Sequence, residues 1–532
     1  MPPRPRLPAW RLPARHLHAS AWTKQPRTAA PPLSTSIAAS LARAAGEEQA
    51  GRTELHGWIR SIRRQKNISF AVLSDGSQVG GVQVVLPKGL DDNLTVGCSA
   101  SLQGQWVESR GKGQDKEFKV ETVDFVGESD AETYPMPNTK QGIPLPVMRK
   151  NAHLRARKEG PAAVLRVRSE MNWAMANYLR REGFVRVEMP VITSSDCEGA
   201  GEVFRVVEAA PEAPAPASTA PASSPPPAES NASATDSSST PPPPASPSRY
   251  LTVSTQLHLE AITSSLPRAY TLAPCFRAEK SDTARHLQEF TMLEAEVAFL
   301  DADAPTALDQ VMTVAEETVR AIAAHVRAMP DTEAHFAKHS PGLVGRFDAL
   351  LALERYPRIS YTDVVALLQA HHARDPAAFA FAPTWGAGLQ TEHERWLAEV
   401  HVQGPVFVTD YPTALKPFYM LPNSPSSSSA SPSGAATAVG PTTACFDLLV
   451  PQLGELAGGS LREHRVTELE RAMAAHGLDP RAYEWYLDLR RYGTTRHGGF
   501  GLGWERLVGL LTGEGNVREC TAFPRAAEGS RF

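Results

Sequence analysis

From Tyr270 to Phe299 the chain reads YTLAPCFRAEKSDTARHLQEFTMLEAEVAF, and its second half alternates. Phe290, Met292, Glu294 and Glu296 fall on one face of a strand. Leu293, Ala295, Val297 and Phe299 fall on the other, apolar face. Few folds accept such a strand: one side must pack on a core while the other keeps an aromatic ring and two carboxylates near a ligand or solvent. Residues 270–276 form its partner, so the pattern predicts two antiparallel strands joined by a long charged loop. Arg277 closes the first strand, and Glu279, Arg285 and His286 sit in the loop.

A second stretch, GFGLGWERLVGLL from Gly499, reads as a glycine-rich strand entering a helix near Trp504. Gly503 is at the join and Arg506 in the first turn. Two permanently charged, fork-shaped guanidinium groups suit a polyphosphate, and glycines admit a flat ligand close to the backbone. Either stretch alone fits a surface ion-pair network or a buried strand–helix join equally well. Together, in this order, they resemble motifs 2 and 3 of the class II aminoacyl-tRNA synthetases.

Other segments extend the resemblance. A helix is expected from Pro161 to about Arg181, with Val164, Val167, Met171, Met175 and Tyr178 on one stripe and Gly183 ending it. The strand FVRVEMP follows and stops at Pro190. This join resembles motif 1, which implies a homodimer with Pro190 at the interface. In LTVSTQLHLEAI, alternation puts Ser254, Gln256 and His258 on one face. Residues 305–328 carry the apolar stripe of a core helix. ACFDLLVPQLGELAGGSLREHR supplies Asp447, Glu455 and Arg462. Two strand-end carboxylates before a Gly-Gly turn suit magnesium, or are ordinary acids.

Residues 52–127 break into five short apolar runs with turn signals, the pattern of a small OB-type barrel. Arg60, Arg63, Arg64 and Lys66 lie near Phe70, an arrangement that suits single-stranded RNA, although Phe70 taken alone suits a core better. The stretch resembles the anticodon-binding domain of class IIb synthetases, which implies anticodon contacts from Arg60, Phe70 and Gln83. Residues 128–150 read as a linker and 151–532 as an α+β catalytic domain, an antiparallel sheet flanked by helices. Low-complexity inserts occupy 209–248 and 423–441.

The 532 residues suffice for two or three domains, and the net charge of −4 confines any RNA contact to a local patch. Five cysteines without CxxC spacing fit a reducing compartment and no structural zinc. No apolar run is long enough to span a membrane. Residues 1–46 hold no acid but Arg4, Arg6, Arg11, Arg15, Lys24, Arg27 and Arg43, the composition of a mitochondrial transit peptide and so of a matrix protein.

Within the family, FRAE, RHLQEF and MLEAEVAF follow the asparaginyl pattern. Leu259 stands where aspartyl enzymes carry a lysine. The resemblance then implies L-asparagine, ATP and tRNA(Asn) as substrates, with Mg2+ on Asp447 and Glu455. Arg277 would hold the α-phosphate. Arg506, His286 and Arg285 would hold the outer phosphates. Glu279 and Phe290 would take the adenine, beside Gly503 and Glu455. Glu198, Ser254, Gln256, Glu294 and Arg462 would line the asparagine site. An aspartyl or non-discriminating synthetase, an asparagine-making paralogue and an inactive RNA-binding paralogue remain alternatives at this level.

Overall fold

A computed structural model describes residues 33–46, 51–111, 114–139, 141–194, 202–207, 249–280, 283–424 and 440–527. Glu198, residues 1–32, the insert at 209–248 and residues 425–439 of the second insert lie outside them.

Strands β1 (Thr53–Arg64), β2 (Ile68–Ser74), β3 (Val82–Pro87), β4 (Ser99–Glu108) and β5 (Lys116–Gly127) close into a barrel in the order β1-β2-β3-β5-β4. Alternate residues such as Leu55, Ile59, Leu73, Val84 and Leu102 fill its interior. A helix, Ile37–Gly46, packs on this barrel. The Ile37 side chain is buried in the barrel core. The Ile37 amide donates to Asp75 at 2.8 Å, and Trp106 Nε1 donates to Ser40 Oγ at 3.0 Å. The boundary expected at residue 46 is therefore corrected: residues 37–46 belong with the barrel, because the apolar stripe of that helix covers barrel side chains.

The second domain is built on eight strands. These are β6 (Val185–Arg186), β10 (Arg268–Phe276), β11 (Glu289–Ala298), β12 (Arg358–Ser360), β13 (Val406–Thr409), β14 (Cys445–Val450), β15 (Gly454–Leu461) and β16 (His497–Gly503). Their order is β12-β13-β14-β15-β16-β11-β10-β6. The inner pairs are antiparallel, while β10·β6 and β12·β13 at the two edges are parallel, so the sheet is mixed. Three short strands, β7 (Ile192–Thr193), β8 (Arg205–Val206) and β9 (Arg249–Leu251), form a separate sheet.

Helices Glu159–Arg181 and Ala304–Arg327 cover one face of the large sheet. Val164, Val167, Met171, Met175 and Leu179 of the first are buried against Leu308, Val311, Ala315, Val319 and Ile322 of the second. Asp303 caps the second by accepting from the Thr306 amide. Two expectations fail locally. The strand ends at Ala298, and Phe299 turns outward with φ +58 and 76% exposure, instead of joining the apolar face. TQLHLEAI is not an alternating strand: Gln256–Thr263 is a helix, with Leu257 and Leu259 buried. The helix buries Leu257 and Glu260 one turn apart, and Leu259 and Thr263 one turn apart on another side.

Candidate active site

The antiparallel register explains how the sheet makes a floor. On β11, Met292, Glu294 and Glu296 lie directly across from Gly503, Gly501 and Gly499 of β16. Asp447 of β14 lies across from Gly458 of β15. Each polar side chain thus leans over a residue with no Cβ. A methyl group on Gly499 would overlap Glu296 and the Ala295 carbonyl, and one on Gly501 would stand 3.0 Å from Met292 Sδ.

Above this floor is a cleft open to solvent, lined among others by Arg277, Arg285, Phe290, Glu455 and Arg506. Glu279, His286, Gly503 and Met292 also border it. Every residue assigned from sequence to the nucleotide is therefore brought to one place. The charged loop between β10 and β11 supplies Glu279, Arg285 and His286, and its neck is closed by the Arg277 amide donating to the Gln288 carbonyl at 3.0 Å. His286 Nε2 stands 3.7 Å from Glu279 Oε2, and its Nδ1 lies 2.6 Å from Thr283 Oγ1. Helix Trp504–Thr512 is fixed to β11 by Glu505, which accepts from the Thr291 amide at 2.9 Å and pairs with Arg168 at 2.8 Å. That anchorage aims Arg506 into the cleft, where NH1 donates to the Glu455 carbonyl at 3.0 Å. Burial, and then the like charge of Arg506, lower the proton affinity of Arg285. Two cations held this close favour an anion between them.

Asp447 and Glu455 converge. A Cβ on Gly458 would meet Asp447 Oδ1 at 3.2 Å and Glu455 Oε1 at 3.5 Å, so both oxygens border one space that glycine keeps open. This oxygen pair fits a hard divalent cation. Lys416 Nζ shares Asp447 at 3.2 Å. Burial, with repulsion from Glu455, still pushes the Asp447 pKa up against that lysine. A third carboxylate, Glu394 on helix Thr391–Arg395, accepts from the Glu455 amide at 3.4 Å. Burial and then Glu455 push its pKa up to about 7. It comes from a helical stretch whose sequence carries no motif.

The described residues assigned to the amino acid lie deeper. Glu294 is 4% exposed and bonded to the Ser254 hydroxyl, the Thr255 hydroxyl and the Thr255 amide, the last at 2.9 Å. Its acceptor positions are engaged in holding that turn. Arg462 does not pair with Glu294 but with Glu296, Nε to Oε1 at 3.1 Å and NH2 to Oε2 at 2.9 Å. Its NH1 donates to Ser460 Oγ at 2.6 Å. Behind it lie Glu260, Arg490, Tyr486 and His497, none singled out from sequence. Glu260, Glu296 and His497 have the spacing of a metal cluster, but Arg462 and Arg490 already neutralise the two acids. The signal was available: read as a helix, TQLHLEAI pairs Gln256 with Glu260 at i,i+4.

On the barrel, β2 and β3 put Phe70 and Gln83 on one face, as diagonal neighbours. Arg63, not Arg60, accompanies them, its guanidinium 5.3 Å from the Phe70 centroid. The expected place of Arg60 is corrected. It sits at a bulge in β1, among Glu159, Arg166, Tyr134 and Asp75 at the junction with the second domain.

Comparisons with known proteins agree with this geometry. The family model described as tRNA synthetases class II (D, K and N) matches residues 146–527, and that of the OB-fold nucleic acid binding domain matches residues 53–125. An asparagine–tRNA ligase of Oleidesulfovibrio alaskensis is 39% identical over 483 residues, 90% of this chain and 95% of that one. An asparaginyl-tRNA synthetase of Mus musculus is 39% identical over 88% of this chain and 89% of its own. The crystal structure of asparaginyl-tRNA synthetase from Pyrococcus horikoshii complexed with asparaginyl-adenylate superposes with a TM-score of 0.72 at 28% identity, covering 89% of this chain and 95% of that one. With an OB-fold barrel before a catalytic domain that carries these motifs, the chain belongs to the class II tRNA synthetases of the D, K and N group.

Proposed function

We propose that this enzyme activates L-asparagine with ATP and transfers the asparaginyl group to the 3′ end of tRNA(Asn). The relatives named above support the amino acid. The observation that carries it is the charge of the buried inner site: three carboxylates, Glu260, Glu294 and Glu296, against two guanidinium groups, Arg462 and Arg490. Among the described residues of the inner site the acids outnumber the guanidinium groups, and Leu259, at the position of the aspartyl lysine, is buried and apolar. A neutral amide is accepted at lower electrostatic cost.

In this reading the asparagine carboxylate attacks the α-phosphate of ATP in line, forming asparaginyl-adenylate and releasing pyrophosphate. A ribose hydroxyl at the tRNA terminus then takes the asparaginyl group from AMP. No side chain serves as nucleophile, so the chain contributes positioning and charge. Arg277 binds the α-phosphate, Arg285, His286 and Arg506 bind the outer phosphates, and Phe290 underlies the adenine with Glu279 at its rim. Asp447 and Glu455 would hold Mg2+, which neutralises phosphate charge when bound. Glu198 would meet the amino group of the substrate.

Three further assignments belong to the same proposal. Phe70 and Gln83 read the anticodon, supported by their shared face beside Arg63. The enzyme is a homodimer through the segment near Pro190, supported by the open outer edge of β6 and by Val185 and Ile192 at 44% and 51% exposure. The acid-free, arginine-rich leader directs it to the mitochondrial matrix. Among the described residues no helix is long and apolar enough to cross a membrane.

The test is charging of tRNA(Asn) and tRNA(Asp) transcripts with labelled asparagine. Labelling of tRNA(Asn) alone supports the proposal; labelling of neither contradicts it.

A further inference from the structure

Glu260 is the most densely bonded carboxylate of the inner site, and its side chain is 0% exposed. One oxygen, Oε1, accepts from Gln256 Nε2 at 3.0 Å and lies 3.8 Å from Arg462 Nε. The other, Oε2, accepts from Tyr486 OH at 2.7 Å and Arg490 NH2 at 2.8 Å, with His497 Nε2 at 3.1 Å. Its partners come from its own helix Gln256–Thr263, helix Glu484–Arg491, strand β16 and Arg462, the residue that follows β15.

An ionised carboxylate can only accept hydrogen bonds. The Gln256 amide must therefore present its NH2 to Glu260, which leaves its carbonyl oxygen as the group that can receive a donor from a ligand. Glu260 also completes a charge balance in which Glu260 and Glu296 match Arg490 and Arg462. Burial raises the Glu260 pKa, but Arg490, His497 and Arg462 outweigh it and hold the group well below the usual carboxylate range.

We propose that Glu260 is a positioning residue for amino-acid selection: it fixes the orientation of the Gln256 amide and keeps the inner site net negative, which penalises an aspartate side chain. The proposal rests on the asparagine-activating function given above. It predicts two separable effects of replacing the carboxylate by an amide. A glutamine at 260 can donate or accept, so the Gln256 amide loses its fixed orientation and asparagine binding weakens. The cluster also gains one net positive charge, so aspartate is penalised less.

The experiment is ATP–pyrophosphate exchange with full-length protein, measuring KM for asparagine and for ATP, the number of active sites, and the asparagine-to-aspartate ratio of kcat/KM. Glu260→Gln should raise the asparagine KM about tenfold or more, the cost of a lost hydrogen bond to a charged group. The ATP KM should stay within about twofold, and the asparagine-to-aspartate ratio should fall. Glu260→Asp, which keeps the charge, should preserve that ratio. A structural role alone would lower the number of active sites without moving the ratio or the asparagine KM, and that result overturns the proposal. If Glu260→Gln proves insoluble, Tyr486→Phe removes a donor to Glu260 without a charge change. A rise of about threefold or more in asparagine KM at constant ATP KM then supports the proposal, and an unchanged asparagine KM overturns it. Absence of asparagine-dependent exchange in the unsubstituted enzyme would instead refute the underlying function.

Discussion

The Arg277 guanidinium carbon stands 5.4 Å from the centroid of the Phe290 ring, across the mouth of the β10–β11 hairpin. Cys275 and Phe290 are register partners, so the backbone itself sets this approach. A cation–π contact contributes only about 1 kcal/mol at such a site. What matters more is that a phosphate-binding group and an aromatic platform are fixed to one another before the nucleotide arrives. Arg277→Ala should lower asparagine-dependent pyrophosphate exchange about a thousandfold, or roughly 4 kcal/mol of transition-state stabilisation. The melting temperature should move by less than about 4 °C. Near-normal exchange would contradict the assignment.

Asp447 and Glu455 face each other over Gly458. If they hold magnesium, Asp447→Asn or Glu455→Gln should raise the Mg2+ concentration for half-maximal exchange about tenfold or more. Titration of exchange rate with MgCl2 reads this directly. An unchanged midpoint in both variants would remove the pair from the metal.

Glu394 carries the pKa of about 7 noted above, raised by burial and Glu455. A carboxyl whose folded pKa exceeds its unfolded value binds more protons when folded. Its contribution is present below the unfolded pKa, near 4.5, and is lost as pH rises through about 7. The loss is at most roughly 3 kcal/mol. Thermal melts of the nucleotide-free protein should therefore show a decline in stability from pH 5 to pH 8 that Glu394→Gln flattens. An equally steep decline in the variant would show that other groups cause it.

Helix Ile37–Gly46 buries Ile37 in the barrel. Removing residues 1–32 leaves those contacts in place and should leave barrel stability unchanged. Removing residues 1–46 strips the Ile37 side chain and the Trp106–Ser40 hydrogen bond. The barrel should lose about 2–3 kcal/mol or more, from the aliphatic burial alone. Comparison of urea unfolding for the two truncations checks this. Equal stability would mean that the helix is incidental.

The sequence reading reached the sheet and the nucleotide end of the site because both are written in local patterns. β11 alternates, β16 is glycine-rich where side chains from β11 cross it, and Arg277 and Arg506 lie at fixed offsets from those strands. The inner site was read less well. Glu260 is not singled out by alternation, which marks Ser254, Gln256 and His258; only the helix Gln256–Thr263 sets it one turn beyond Gln256 and buries it. Arg490, Tyr486 and His497 come from distant segments whose meeting is tertiary, so no spacing announces them. Glu394 was out of reach for the same reason. Arg60 was grouped with Phe70 by nearness in sequence, and the bulge in β1 beside Arg60 is not legible in that stretch.

The most direct test of the central claim is ATP–pyrophosphate exchange with L-asparagine and L-aspartate in parallel at equal concentration. The charge balance of the inner site predicts exchange with asparagine and little or none with aspartate. Equal or greater exchange with aspartate would contradict it, and would mean that Arg462 is released from Glu296 to serve a carboxylate.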